Sequence, residues 1–414
     1  MSTNNITNPS QLLTSSTSFC MSPWIHIHTS PTGIASPCCI AEAGYVEGVG
    51  NSINQSLIEI VNSKKMNELR LNMLTDVKNP MCSTCHRHEE HGVPSFRQTF
   101  NNQYGQYVGE IADTNSDGSL NDFKMRYFDI RFSNICNFKC RSCNSSFSSQ
   151  WELEDKRSKR PGAWTVPKNN SKPFLKEILN QIEFIDEAYF AGGEPLITEQ
   201  HYVILEEMIR QKRTDIRLKY NSNLSNFKFK DKDLMGLWKY FTNGIFISAS
   251  IDHFGERAEY IRHGTDWATV ENNFIIAKQN PHITLQMNTV LSMYNYTTLF
   301  EFYEYLINKK LYNANDLTYS LYNMVSPREL AAHVLPIEYK NLGKEKLASV
   351  VKLFQDNKFG QQKINHLTEI LPWVYSEHTW DNEKENFQNE TARLDKIRGE
   401  SFVKTFPELA SLMD

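Results

Sequence analysis

The sequence predicts an α/β protein whose central part is a partial (β/α)6 barrel of the TIM type. Six short apolar runs alternate with helical patterns, and these runs are 126–132, 188–190, 216–220, 245–251, 283–291 and 317–322. Such alternation joins parallel strands through right-handed crossovers. Glycine-rich and polar motifs follow several of these strands, at the edge where a barrel carries its active site. The 414 residues exceed one ordinary core, so we expect further domains on both sides of the barrel.

Composition and charge exclude several partners. The 22% of charged residues is typical of a globular protein. The net charge of −4 gives no indication of a nucleic-acid partner. No run approaches the ~18 apolar residues of a membrane span. Residues 1–18 are rich in Ser, Thr and Asn and lack a signal peptide, which predicts a disordered tail. We therefore expect a cytoplasmic protein with reduced thiols.

The amino-terminal part, residues 19–122, carries five of the eight cysteines. The alternating run 25–28 and the turn residues 31–33 predict a hairpin, and the apolar positions of 57–74 predict a helix beside it. Residues 101–122 are polar and glycine-rich, which predicts a linker.

Four cysteines of this part can surround a metal: Cys20, Cys38, Cys82 and Cys85. Their spacing suits zinc or a [4Fe-4S] cluster equally. Cys39 is adjacent to Cys38 and points another way, so we assign it to packing.

Three further cysteines, Cys136, Cys140 and Cys143, follow the first barrel strand (126–132) at C-x₃-C-x₂-C spacing. Three thiolates on one short loop can bind one face of an iron–sulfur cube and leave the fourth iron open to another ligand. A zinc loop or three unrelated buried cysteines are the alternatives.

The C-x₃-C-x₂-C loop after a first strand resembles the signature of the radical S-adenosylmethionine (SAM) enzymes. The resemblance implies that these cysteines hold a [4Fe-4S] cluster. SAM would chelate its open iron and be cleaved to a 5′-deoxyadenosyl radical that abstracts hydrogen from a substrate. The residues expected to bind SAM are Phe138, the Gly192-Gly193-Glu194-Pro195 motif, Asn221-Ser222-Asn223, Ser250, Asp252, Arg262, Val290 and Leu291.

Residues 19–91 are similar to the twitch or SPASM module of many radical SAM enzymes. The similarity lies in the Cys-x-x-Pro-Trp opening, the Pro-Cys-Cys block, the Ser-Leu-x-Glu-Ile helix and the Cys-x-x-Cys end. It implies a second, auxiliary [4Fe-4S] cluster. The module usually follows the catalytic domain, whereas here it precedes residues 123–330, the predicted barrel.

Residues 331–414 show helical periodicity without a catalytic motif, and we expect them to cover the barrel, the substrate site or a partner. The sequence therefore predicts a radical SAM oxidoreductase that acts on a peptide or protein and receives electrons from a donor such as flavodoxin or ferredoxin. One alternative is a radical SAM dehydrogenase or rearrangement enzyme of a small metabolite. The other is a non-catalytic zinc-binding adaptor.

Overall fold

The structure, a computed structural model, describes residues 9–42, 47–160, 165–166, 172–317 and 319–414. These residues form two compact units, each built from separate stretches of the chain. The first unit takes its residues from Met1–Ile135, Thr165–Tyr220 and Lys232–Ile245. The second takes them from Cys136–Trp164, Asn221–Asp231 and Phe246–Asp414.

The strands in the described residues are short, and only one of them is longer than six residues. They are β1 (His26–Thr29), β2 (Ile34–Ser36), β3 (Gly50–Asn51), β4 (Tyr127–Ile130), β5 (Lys139–Cys140), β6 (Glu187–Phe190), β7 (Arg217–Ser222), β8 (Lys228–Phe229), β9 (Lys232–Asp233), β10 (Ile245–Ser250), β11 (Arg262–His263), β12 (Ile283–Leu291) and β13 (Ser320–Asn323).

Helices connect the strands and form most of the carboxyl-terminal part. They are α1 (Pro9–Ser15), α2 (Ser22–Ile25), α3 (Leu57–Val61), α4 (Lys64–Leu74), α5 (Ser83–Glu90), α6 (Phe96–Tyr104), α7 (Ser149–Arg157), α8 (Lys172–Asn180), α9 (Glu199–Arg210), α10 (Leu234–Trp238), α11 (Gly255–Ile261), α12 (Trp267–Gln279), α13 (Met293–Tyr296), α14 (Leu299–Asn308), α15 (Ile337–Asp356), α16 (Gln361–Thr368), α17 (Leu371–Val374), α18 (Trp380–Arg398) and α19 (Phe402–Thr405).

In the first unit the strands lie in the order β7-β6-β4-β1-β2-β3. Strands β7, β6, β4 and β1 pair in parallel, whereas β1-β2-β3 pair antiparallel and form the predicted hairpin. The register of β1 on β4 runs from His26 opposite Tyr127 to Thr29 opposite Ile130. The predicted α/β class with a parallel-strand sheet is therefore confirmed, and the hairpin of the amino-terminal module is joined to the first predicted barrel strand.

In the second unit β12 lies between β10 and β13 and pairs with β13 in parallel. The two-residue strands β5 and β11 pair antiparallel. Apolar side chains of α14 pack on the long helix α15, where Tyr303 meets Phe354 edge to face with ring centroids 5.1 Å apart. Closure of the six predicted strands into a partial barrel remains a prediction.

Two stretches differ from the prediction. Residues 9–15 of the predicted tail form α1, and the chain beyond it is held because Asp76 accepts hydrogen bonds from the backbone N–H groups of Thr17 (2.9 Å) and Ser18 (3.0 Å). The predicted linker begins inside α6, whose start is fixed by a capping box between Ser95 and Gln98. Polar composition alone concealed these helices because capping residues and loop residues are of the same types.

Within the described residues, the structure contains no helix with the length and apolar character that crossing a membrane requires.

Candidate iron–sulfur sites

The first unit contains a small apolar cavity lined by the four predicted ligands of the auxiliary cluster. Cys20, Cys38, Cys82 and Cys85 all contribute to its wall, together with apolar side chains such as Leu69. Cys39 is not in the wall. The donor set therefore fits an iron–sulfur cluster with four thiolate ligands, and it favours Cys38 over its neighbour.

Short hydrogen bonds fix the segments that carry these cysteines. Asn101 receives the backbone N–H of Met21 (2.9 Å) and donates to the carbonyl of Phe19 (2.9 Å), so it holds both neighbours of Cys20. The Ser22 hydroxyl donates to the carbonyl of Pro37 (2.5 Å), which links this segment to the one that carries Cys38. The cavity is thus assembled by contacts between segments that are distant in the sequence.

Burial governs the acidity of the cavity thiols. It raises the pKa of Cys82 to about 12, with a further contribution from the charge of Cys85. Burial likewise raises the pKa of Cys20 and Cys38 far above the usual thiol range. A thiolate in such surroundings needs a nearby cation, and a bound iron centre supplies one. Burial and then the charge of Asp129 raise the pKa of Cys39 to about 11.

In the second unit the amino-terminal end of α7 braces the three-cysteine loop. Ser148 Oγ donates to the carbonyl of Phe138 (2.6 Å), and Trp151 Nε1 donates to the carbonyl of Cys140 (2.8 Å). The turn within the loop is closed by the Cys143 N–H, which donates to the same Cys140 carbonyl (3.0 Å). Burial, and next the charge of Cys140, raise the pKa of Cys143 to about 12. The loop thus holds Cys140 and Cys143 within one hydrogen-bonded turn.

Arg262 lies directly against the loop. The pairing of β11 with β5 sets Arg262 opposite Cys140, with Nη1 3.9 Å from the Cys140 sulfur. Its Nε lies 2.8 Å from Asp252 Oδ2 in a buried ion pair. Burial alone would lower the pKa of Arg262, but the negative charges of Asp252 and Cys140 outweigh burial and raise it. A permanent cation therefore stands beside this thiol.

The structure brings other predicted residues to the same place. Asn223 donates from Nδ2 to the Asn137 side chain within the loop (3.1 Å), and Asp252 Oδ1 accepts the backbone N–H of Val290 (2.8 Å). Phe138 is buried and packs against Gly264, where an added Cβ would lie 3.2 Å from its ring.

The remaining predicted residues of this unit lie in the turn after β7 and along the strands. Ser222 Oγ accepts the backbone N–H of Leu224 (3.0 Å), which caps the turn after β7. Asn221 and Ser250 are half-buried, and Leu291 is fully buried, as expected for core packing.

Gly192-Gly193-Glu194-Pro195 belongs to the first unit and forms a tight turn after β6. Gly192 has a φ of +124°, and a Cβ on Gly193 would lie 2.1 Å from the carbonyl oxygen of Ile135. Glycine is therefore required at both positions. Glu194 donates its N–H to Ile135 O (2.8 Å), and its carboxylate accepts the N–H of Leu196 (3.0 Å). The motif thus packs against and hydrogen-bonds to Ile135, the residue that directly precedes Cys136.

A larger cavity of about 240 Å³ opens beside the loop in the second unit. Arg141, Ser142 and Cys143 form one side, and α18 contributes Glu390 and Leu394 to another. The wall combines charged, hydroxyl and apolar groups, which suits a ligand with both polar and apolar parts.

No group of three or more His, Cys, Asp or Glu side chains that could hold a metal ion is found among the described residues. Such a group would place all its ligands about 2.0–2.3 Å from one point, whereas each thiolate of a cube binds a different iron. The two ligand sets remain predictions.

Comparison with protein families identifies the amino-terminal segment. Residues 20–86 match the family model SPASM, described as an iron-sulfur cluster-binding domain. The prediction of a SPASM-like iron–sulfur module in this part of the chain is confirmed, and with it the resemblance to radical SAM enzymes that carry such a module. The match covers less than a quarter of the chain.

No curated protein matches the chain. Two solved structures show partial similarity. The native anSMEcpe structure with bound AdoMet and Cp18Cys peptide has 15% identity and a TM-score of 0.37, and the match covers 55% of this chain and 60% of that one. The structure of Streptococcus suis SuiB bound to S-adenosylmethionine has 12% identity and a TM-score of 0.36, and the match covers 74% of this chain and 66% of that one. The chain thus spans about 60% of the length of anSMEcpe.

Sequence reasoning missed several residues at both sites. Arg97 lines the auxiliary cavity and forms an ion pair with Glu89 (2.7 Å). Arg141 lines the larger cavity, and its ion-pair partners are Asp395 and Glu400. Arg97 lies twelve residues beyond the C-x-x-C pair. This short separation is the one feature of the sequence that could have indicated a place for Arg97 at the site. Nothing near Arg141 in the sequence indicates its partners.

Proposed function

We propose that the chain is a radical SAM enzyme that abstracts hydrogen from a peptide or protein substrate. Cys136, Cys140 and Cys143 would hold the SAM-binding [4Fe-4S] cluster. Cys20, Cys38, Cys82 and Cys85 would hold an auxiliary one. The observation that carries the proposal is the match of residues 20–86 to an iron-sulfur cluster-binding domain in a chain that also has a C-x₃-C-x₂-C loop.

The SAM-binding cluster, when present, supplies the electron that cleaves SAM into methionine and the 5′-deoxyadenosyl radical. The chain's own residues would position the reactants. Arg262 offers five N–H donors, and its contacts with Asp252 and Cys140 leave others to pair with the carboxylate of SAM. Asp252 fixes the guanidinium and keeps the buried charge compensated. Gly192 and Gly193 carry no side chains of their own that would shield the backbone groups of this turn.

The substrate would occupy the cavity of about 240 Å³ beside Cys143. That volume lies below the ~300–1,000 Å³ of typical small-molecule sites, so it suits one side chain of a larger substrate better than a whole metabolite. This supports a peptide or protein substrate. In the proposed reaction a hydrogen atom of the substrate side chain would pass to the 5′-deoxyadenosyl radical, which would leave as 5′-deoxyadenosine.

Anaerobic iron and sulfide counting combined with a SAM-cleavage assay tests the proposal. We expect about eight irons per chain and 5′-deoxyadenosine that depends on a reductant. Cys140→Ala should lower the count to about four and abolish 5′-deoxyadenosine, because one corner of the SAM-binding cube loses its ligand. Stoichiometric zinc without iron would instead support the adaptor, and unchanged 5′-deoxyadenosine in Cys140→Ala would refute the assignment of the loop.

A further inference from the structure

The geometry points to the carboxyl-terminal segment Trp380–Asp414 as a structural support of the three-cysteine loop. We propose that Asp395 and Glu400 are positioning residues that hold the loop Cys136–Cys143 in its binding conformation through Arg141. The inference rests on the proposed function only in treating the three cysteines as cluster ligands. The contacts themselves do not depend on it.

The first contact is the double ion pair of Arg141, the residue between Cys140 and Ser142. Its Nη2 lies 2.6 Å from Asp395 Oδ1 and 2.7 Å from Glu400 Oε2. Its guanidinium carbon lies 3.7 Å from the ring centroid of Tyr260, and only 1% of the side chain is exposed. A buried guanidinium held by two carboxylates and an aromatic ring has one stable position, so the backbone of Arg141 is fixed with it.

A second contact holds the residue on the other side of Cys140. Lys139 Nζ lies 2.5 Å from Glu154, and Glu154 also pairs with Arg398 Nη2 at 2.8 Å. The guanidinium of Arg398 lies 4.7 Å from the ring centroid of Trp151, whose indole N–H binds the Cys140 carbonyl. Cys140 therefore lies between two side chains that are each tied, directly or through Glu154, to the end of α18.

The same carboxylates also contact the chain around β11, the strand that presents Arg262. Asp395 Oδ1 accepts the hydroxyl hydrogen of Tyr260 at the end of α11 (2.8 Å), and Glu400 Oε1 lies 2.5 Å from Nδ1 of His263 in β11. Asp395 and Glu400 thus hold the residue that follows β5 together with residues on β11 and just before it.

The two carboxylates lie where they would destabilise α18 if the helix stood alone. The helix ends at Arg398, followed by Gly399 in the left-handed region (φ +68°). Negative charges near a helix carboxyl terminus are disfavoured by the helix dipole. Arg141, Tyr260 and His263 compensate for this cost. The turn after α18 is therefore stabilised by the cysteine loop just as the loop is stabilised by the turn.

The eight cysteines provide a direct test in the full-length chain stripped of iron. Alkylation of each cysteine is followed by mass spectrometry in the wild type, Glu400→Gln and Asp395→Asn. Each variant removes a charge-assisted hydrogen bond that restrains the loop, so the loop should open more often. The labelling rates of Cys136, Cys140 and Cys143 should therefore rise by about tenfold. The rates of the five amino-terminal cysteines should stay unchanged.

Glu408→Gln is the matched control. Glu408 pairs with Arg257 at 3.0 Å and its side chain is 23% exposed, against 17% for Glu400, but it does not contact the loop. Its labelling pattern should equal that of the wild type. Glu400→Asp keeps the charge and should restore most of the protection lost in Glu400→Gln.

Three results would overturn the proposal: unchanged labelling of the loop in both variants, an equal rise at all eight cysteines, or an equal effect of Glu408→Gln. An equal rise would mean that the pairs hold the fold as a whole. A chain that takes up no iron would defeat the proposed function, yet the labelling pattern would still decide the role of Asp395 and Glu400.

Discussion

Cys20, Cys38, Cys82 and Cys85 come from separate segments and share an apolar cavity, whereas Cys136, Cys140 and Cys143 lie on one loop. Hydrophobic packing and hydrogen bonds hold the segments of the first group, and Arg97 adds an ion pair with Glu89 and a hydrogen bond to the Phe19 carbonyl. Ion pairs and backbone contacts hold the loop of the second. The first group can form only when distant segments have folded together, but the second needs an external brace because a short loop has no core of its own.

The difference agrees with the number of ligands. Four thiolates can close a cluster site, and such a site gains stability from enclosure by apolar groups. Three thiolates leave one position open, so the surroundings of the loop must stay polar enough to receive a ligand and rigid enough to present it. Arg262 and Arg141 meet both needs.

The largest expected effect separates the adjacent cysteines of the first group. Cys38→Ala should lower the iron content of the anaerobically reconstituted chain from about eight to about four, because the auxiliary cluster loses a ligand. Cys39→Ala should retain about eight, since Cys39 is outside the cavity wall. Iron and sulfide analysis with Mössbauer spectra of both variants measures this. A loss of iron in Cys39→Ala alone would reverse the assignment and weaken the contrast between the groups.

The next effect concerns the charged surroundings of the loop. Asp252→Asn should lower the free energy of unfolding by about 3–5 kcal/mol, because Arg262 would keep a buried charge without its partner. Denaturant unfolding of the iron-free chain measures it. The control Glu301→Gln breaks the more exposed pair with Lys346, which should contribute less than about 1 kcal/mol. Equal effects would show that the ion pair at the loop is no more important than one at the surface.

The smallest effect concerns the Gly192–Pro195 turn, which contacts the carbonyl of Ile135. Gly193→Ala should lower the free energy of unfolding by about 1–3 kcal/mol, since its Cβ would collide with the Ile135 carbonyl, which cannot move aside as a flexible side chain would. Gly109→Ala is the control, because a Cβ there meets no atom within 4 Å, and it should change stability by less than about 0.5 kcal/mol. Denaturant midpoints at one temperature compare the two. A tolerant Gly193→Ala would mean that backbone approach at this turn is not required.

Much of the fold was predictable because its strands have strong local patterns. The strand Ile283–Leu291 has the bounds that its apolar periodicity predicts, and 245–251 differs by one residue from the observed Ile245–Ser250. The last predicted strand, 317–322, is observed as Ser320–Asn323. Its shift is the kind of boundary error that local pattern cannot resolve, because pairing with β12 sets the register.

The candidate sites were predictable only where the spacing of a motif carries the chemistry. C-x₃-C-x₂-C marked the loop, and the two cysteine blocks marked the cavity. Pairs such as Arg141 with Asp395, 254 residues apart, leave no periodicity and no motif in the sequence. The role of Asp252 also required the structure, because only there does it lie between Arg262 and the backbone of Val290.

The parallel pairing of β1 with β4 has a consequence for handling the protein. A chain started after residue 122 would leave β4 without β1, and a row of backbone N–H and carbonyl groups would become an open sheet margin. Such a margin recruits strands from other molecules, so the shortened protein should precipitate instead of yielding a soluble catalytic fragment. The amino-terminal module thus covers an edge of the sheet and prevents aggregation through that edge, independently of any cluster that it binds.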